Sequence, residues 1–220
     1  MTFGFSQTEM NRLFGCLDRL LPCVHLGRVA IAGSVGMQLN MVAQGRTGPR
    51  TEIADLDLVA ASAGDITPRT VERFLVSHYH VVGPGVPKFM IQLVDPISSI
   101  RVDIFPDLVG SLADAQTISI GGHSVQILSL ERIFEHKIQT LSRASRSAPI
   151  DPKHVRDARL LGSVLDRMTP TVPDEALAPD VYGVDDDGSC ERCELSRHPD
   201  WPLGPKDRIL DLLGWSRRKG

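Results

Sequence analysis

No stretch of the 220 residues reaches about 18 consecutive apolar positions, the least a membrane-crossing helix needs, so no span is expected. The first residues lack the basic-then-apolar pattern of a secretory signal, which makes a cytoplasmic location the expectation. Cysteine is scarce. Four in a chain of this length build no disulfide scaffold; in a reducing compartment they are thiols or metal ligands. There is no internal repeat. A formal net charge of −3 gives no bulk attraction to nucleic acid and leaves only a local basic patch as a route to it. What is present is a 42% hydrophobic share, enough for an ordinary soluble core. The length suits one domain with an appendage, or two small domains.

The informative stretch is Val29 to Val59, VAIAGSVGMQLNMVAQGRTGPRTEIADLDLV. Val29 to Ala32 is a short apolar run. Gly33-Ser34 breaks it, and Val35, Leu39 and Val42 continue at helical spacing as far as Gly45. The next strand alternates, with Asp55, Asp57 and Val59 on one face and Leu56, Leu58 and Ala60 on the other. Two carboxylates so placed repel each other in low dielectric. A divalent cation between them removes that cost, and carboxylate-rich sites suit Mg²⁺ that also holds substrate phosphates. Asp103 lies mid-strand in SIRVDIF, with Val102 and Ile104 on the opposite face, and is the candidate third ligand. Two Mg²⁺ ions roughly 3.5–4 Å apart would activate the attacking oxygen and stabilise the leaving oxygen of a phosphoryl transfer. Gly33-Ser34, where a helix opens, offers free N–H groups and a positive dipole end to phosphate.

A Gly-Ser turn, a downstream D-x-D on a strand and a third Asp on a later strand together resemble the polymerase-beta-like nucleotidyltransferase superfamily. The match covers roughly the first half of the chain. The resemblance implies that Gly33 and Ser34 hold a nucleoside triphosphate, ATP among the candidates, and that Asp55, Asp57 and Asp103 hold two Mg²⁺. The loop between Ser34 and Asp55 is longer than in minimal members. Its segment GRTGPRTEIADLDL looks like the abortive-infection (AbiEii-like) toxin-type nucleotidyltransferases. That subgroup implies a toxin or defence role, with a tRNA end or a protein as acceptor.

Around this stretch the chain reads as a mixed sheet carrying helices, an α/β or α+β core. Ser6 to Leu21 is an expected helix, with Ser6 and Glu9 as a capping box and Pro22 ending it. Thr67 to Ser77 reads as another, with Val71, Phe74 and Leu75 inward. Lys88 to Val94 is expected to pair with Ser99 to Phe105 across Asp95-Pro96, and Gly121-Gly122-His123 to turn a hairpin. After Ser129 comes a helix whose apolar face, Leu130, Ile133, Phe134 and Leu141, also bears Lys137. That lysine must snorkel to water or meet an anion. By the toxin-type resemblance the anion is the triphosphate. Asp151-Pro152 starts a last helix. On it Lys153 and Asp157 stand four apart, a surface ion pair by spacing alone. By resemblance Asp157 orients basic groups at the nucleotide.

These readings divide the chain into a core at 1–128, a helical part at 129–167, and an arm and tail at 168–220. The tail carries Cys190 and Cys193 in a Cys-x-x-Cys pattern, which reads either as free thiols or a redox pair or as half of a structural zinc site, with Cys16, Cys23, His25 or His198 needed to complete it. The acidic run Asp185 to Asp187 reads as solvated loop, and His78 and His80 as ordinary histidines. Arg143, Arg146, Lys153 and Arg156 form a basic cluster that reads equally as a solvated basic face or as one that tracks an RNA backbone. The enzyme reading has an alternative, a protein that binds nucleotide without turnover or a zinc-stabilised interaction protein.

Overall fold

The computed structural model describes residues 4–46, 52–81, 89–147, 150–173 and 176–177, with backbone alone for 78–81, 89–90 and 143–147. The tail with Cys190 and Cys193, the acidic run at 185–187, and the side chains of His78, His80, Arg143 and Arg146 lie outside what it describes.

Helix α1 (Gln7–Leu20) begins where Ser6 accepts the Glu9 N–H. Met10, Leu13, Leu17 and Leu20 are buried, the three-and-four spacing of a single apolar stripe. The other half of the expected capping box is not made. The Glu9 carboxylate instead takes Arg12 at 2.6 Å and the Ile53 N–H at 2.8 Å, so a local cap has become a tertiary tie.

Seven strands form one mixed sheet in the order β3-β4-β5-β2-β1-β7-β6. They are β1 (Val29–Ile31), β2 (Asp55–Ala60), β3 (Leu75–Val81), β4 (Phe89–Val94), β5 (Arg101–Pro106), β6 (Gln116–Ile120) and β7 (His123–Ile127). The central strands β5, β2, β1 and β7 join by a parallel pair, an antiparallel pair and a parallel pair, and antiparallel hairpins close both sides. Helix α1 packs Leu13, Leu17 and Leu20 on the face that carries Leu56, Leu58 and Ala60. Helices α4 (Leu130–Ser147) and α5 (Pro152–Leu165) close the other face through Ile133, Phe134 and Leu161, against Ala30, Ala32 and Val59. Helix α2 (Gly33–Ala43) is buried at every position from Val35 to Val42. Its buried Asn40 donates to Gly36 O at 2.9 Å and Leu128 O at 2.7 Å, tying α2 to the start of α4. The molecule is a mixed α/β fold with helices on both faces of the sheet.

One expectation is corrected. The helix read over Thr67 to Ser77 is a single turn, α3 (Thr70–Arg73), and the chain enters β3 at Leu75. Leu75-Val76-Ser77-His78-Tyr79-His80-Val81 is rich in β-formers. Pairing with β4 satisfies its backbone across a bulge between Val76 and His78. The turn between β4 and β5 holds a feature the spacing did not announce. Asp95 is fully buried and accepts both arms of Arg19, along with the Ser98 hydroxyl. Those donors hold its carboxyl below the usual range against the upward pull of burial.

Candidate active site

Strands β2 and β5 run parallel with Asp57 opposite Asp103 and Asp55 opposite Arg101. Side chains alternate along a strand, so all four residues rise from one face of the sheet. On that face the chain leaves β1 and enters α2 through Gly33, whose φ is +57°. A Cβ at Gly33 would stand 1.8 Å from Asp57 Oδ2. Only glycine lets the start of α2 lie on this carboxylate, both for backbone conformation and for space. Ala32 supplies no side-chain cap, so the first N–H groups of α2 have no acceptor from the N-cap side chain.

Burial, then the charges of Asp55 and Asp103, push the Asp57 carboxyl up to about 7, against the partial relief of Lys137 and Lys153. Burial also raises Asp103, with Arg101 and Gln92 opposing. Asp103 Oδ1 is buried and, among the described residues, has no hydrogen-bond partner, an expensive state for a carboxylate oxygen. Arg101 forks between the two outer acids, with Nη2 at 2.9 Å from Asp55 Oδ2 and Nε at 3.0 Å from Asp103 Oδ2.

Helices α4 and α5 supply a second group. Lys137, only 7% exposed, reaches Asp157 Oδ2 at 2.9 Å and lies 3.4 Å from His154 Nδ1. The Ser34 hydroxyl donates to the same Asp157 oxygen at 3.4 Å. The lysine on the apolar face of α4 therefore meets an anion of its own chain and does not snorkel. Burial first, then Lys137 and Lys153, press the His154 imidazole down to about 4. It is neutral near pH 7, which leaves Nδ1 free to accept from the ammonium. The Lys153–Asp157 surface pair that spacing suggests is replaced. Lys153 turns to Asp55 at 3.7 Å and Asp151 at 3.6 Å, while Asp157 turns inward to Lys137. A small cleft of about 50 Å³ opens beside Ser34, Asp55 and Lys153. A larger one of about 310 Å³ lies between α1 and β1 on the opposite face, lined by Leu17, Leu20 and Leu58 with none of the aspartates.

The outline of the molecule is similar to several solved structures. One is a Thermotoga maritima protein described as a candidate nucleotidyltransferase, at 19% identity and a TM-score of 0.45, over 73% of this chain and 94% of that one. Another is the antibiotic-resistance factor ANT(2'')-Ia, at 16% identity and 0.44, over 72% and 84%. A third is an antigenic nucleotidyltransferase-like protein from Paracoccidioides brasiliensis, at 21% identity and 0.40, over 73% and 78%. No family model and no curated protein matches the chain. Likenesses with TM-scores below 0.5 leave function to the side chains of the site.

Gly33, Ser34, Asp55, Asp57 and Asp103 thus share one face, and Lys137 and Asp157 meet beside Ser34. Among the described residues, no group of three or more His, Cys, Asp or Glu side chains stands close enough to hold a metal ion. The donors nevertheless suit one in kind. They are hard carboxylate oxygens, one without a partner among the described residues and one carboxyl held up by burial and then by its neighbours' charge. Cys16 and Cys23 are buried free thiols, and Cys23 Sγ donates to Arg19 O at 3.2 Å within its own turn. Arg101 and His154 did not enter the sequence-based candidate set. Arg101 was within reach of it, since it precedes Asp103 by two residues and must share its face. His154 was not, because its contact depends on how α4 and α5 cross.

Proposed function

We propose that the chain is a metal-dependent nucleotidyltransferase that moves a nucleoside monophosphate from a nucleoside triphosphate to an acceptor hydroxyl. The observation that carries the reading is the register of β2 on β5. It sets Asp57 beside Asp103 directly under the glycine-opened end of α2. Carboxylates there call for a cation, and helix N–H groups there call for an anion; a metal–triphosphate complex answers both. Asp55, Asp57 and Asp103 would hold Mg²⁺, two ions in this reading, which when bound supplies the positive charge that stabilises the attacking and leaving oxygens.

The chain's own groups do the rest. Ser34 and the first N–H groups of α2 hold the β- and γ-phosphates. Lys137, fixed by Asp157 and His154, adds positive charge where the leaving pyrophosphate gathers negative charge. The acceptor oxygen forms a bond to the α-phosphorus. The bond from that phosphorus to the bridging oxygen breaks, pyrophosphate leaves, and Asp103 takes the hydroxyl proton. Its upward-shifted carboxyl suits a proton acceptor. In the toxin-type reading the hydroxyl belongs to a tRNA end or to a protein. Lys153, at the mouth of the small cleft, and Arg156, exposed on α5, support an anionic acceptor such as RNA.

The test is pyrophosphate release from each nucleoside triphosphate with Mg²⁺ and a fractionated cell extract. Release that depends on both nucleotide and one acceptor fraction is expected. Absence of release with every nucleotide and fraction overturns the reading.

A further inference from the structure

Three acids on one polar face repel one another; Lys153 stands 3.7 Å from Asp55 Oδ2, and a guanidinium bridges two of the acids directly. We infer that Arg101 is the resident cation of the carboxylate site, and that a divalent ion enters by exchange with it. The inference rests on the proposal that Asp55, Asp57 and Asp103 bind metal.

The contacts are those of an occupant. One planar fork reaches two carboxylates at once, Asp55 at 2.9 Å and Asp103 at 3.0 Å, each through its own N–H in one rigid plane, which an ammonium on a flexible stem does not reproduce. The fork thereby occupies one oxygen of each of two proposed metal-binding carboxylates. Among the described residues no group of three or more His, Cys, Asp or Glu side chains is placed to hold a metal ion in this arrangement, in which the fork spans two of the three acids.

The contacts are also those of an occupant able to leave. The Arg101 side chain is 43% exposed, so its tip reaches water by rotation about its own bonds with no core to open. A purely structural clamp would have little to do here. Strands β2 and β5 already pair from Asp55↔Arg101 through Ala60↔Pro106. The fork does not reach Asp57, and among the described residues Asp103 Oδ1 has no hydrogen-bond partner. The guanidinium thus offsets part of the acidic charge and leaves the rest to draw the ion in.

Exchange has a consequence that simple proximity of charge does not. The apparent affinity for the divalent ion is lowered by the cost of breaking the fork, and only a side chain that makes the fork lowers it. The experiment uses the full chain without nucleotide. It measures Mn²⁺ binding from the electron paramagnetic resonance signal of free Mn²⁺, at fixed pH and salt, for the parent, Arg101→Lys and Arg101→Met. Melting of the metal-free proteins is followed alongside.

Arg101→Lys keeps the charge and loses the fork. It is expected to bind Mn²⁺ about tenfold more tightly than the parent, the factor for one charge-assisted hydrogen bond lost, and Arg101→Met at least as tightly. Metal-free, both variants should melt lower than the parent, and saturating Mn²⁺ should narrow the gap. Should Arg101→Met fail to fold, Arg101→Lys decides alone. Equal affinity in the parent and Arg101→Lys, with tighter binding only in Arg101→Met, reduces Arg101 to a distant charge and overturns exchange while leaving the metal site standing. No Mn²⁺ binding to any of the three at millimolar concentration overturns the metal site and the exchange together.

Discussion

Asp57 is the residue on which the site's electrostatics converge. Its carboxyl, held at about 7 by burial and by Asp55 and Asp103, lies above the value of about 3.9 of an unfolded aspartate. The unfolded chain therefore loses this proton first as pH rises. Folding stability falls between roughly pH 4 and pH 7 on its account. Asp57→Asn removes that loss. The variant should match the parent near pH 4 and exceed it at pH 8 in metal-free denaturant melts, by about 1.4 kcal/mol for each pKa unit removed. Equal stability of the two at pH 8 would show that the carboxylate is not strained. Gly33 makes the complementary case. Alanine there takes on a φ of +57°, at roughly 1–2 kcal/mol, and sets a methyl 1.8 Å from Asp57 Oδ2. Gly33→Ala is expected to lose more stability than the backbone term alone, and Gly33→Ala in the Asp57→Ala background to recover part of the excess, since the Cβ at position 57 would still stand 2.8 Å away. A double-mutant cycle on chemical denaturation reads the difference.

At the scale of elements, the pair α4–α5 is where sequence and structure part. Period-two alternation placed Asp55 and Asp57 on one face of β2, and Asp103 on the face of β5 opposite to Val102 and Ile104, because a strand's geometry is fixed by its own backbone; the register of β2 on β5 brings the three together. Helical periodicity likewise put Lys137 on the buried side of α4. What lay across from it depended on the crossing of two helices, which no local pattern encodes, and the partner is Asp157. That partner changes what a substitution does. A lysine free to reach a ligand would be replaced at little cost in stability. Lys137→Met instead strips the ammonium from a buried acid, a loss of about 3–5 kcal/mol. Lys137→Met with Asp157→Leu should regain most of it, as measured by thermal melting. His154 gives the pair a pH signature. Its imidazole is pressed down to about 4, below the value of about 6.5 of an unfolded histidine. As pH falls, the unfolded chain takes up the proton first. Stability is therefore lost between roughly pH 6.5 and pH 4. His154→Gln should flatten that limb, and an unchanged slope would place His154 in contact with water.

At the scale of the molecule, most of the fold could be read from the chain. The expected β4–β5 pairing, the hairpin at Gly121-Gly122 and the helices α1, α2, α4 and α5 are present. The element missed was β3, where Val71 and Phe74 offered a helical spacing and pairing with β4 decided otherwise. The order of the strands was not legible. It follows from β1 lying between β2 and β7 and so carrying the Gly33 turn onto the next strand's carboxylates. That placement, and not the D-x-D pattern alone, turns scattered acids into a site.

The most direct measurement of the central claim is transfer of label from an α-³²P nucleoside triphosphate to acceptor in the presence of Mg²⁺, comparing the parent with Asp57→Asn and Asp103→Asn. Both variants are chosen to keep side-chain shape, and their folding is checked by circular dichroism. The account predicts labelled acceptor with the parent, background with either variant, and loss of parental activity on chelation with EDTA. Undiminished labelling by a folded Asp57→Asn would contradict it.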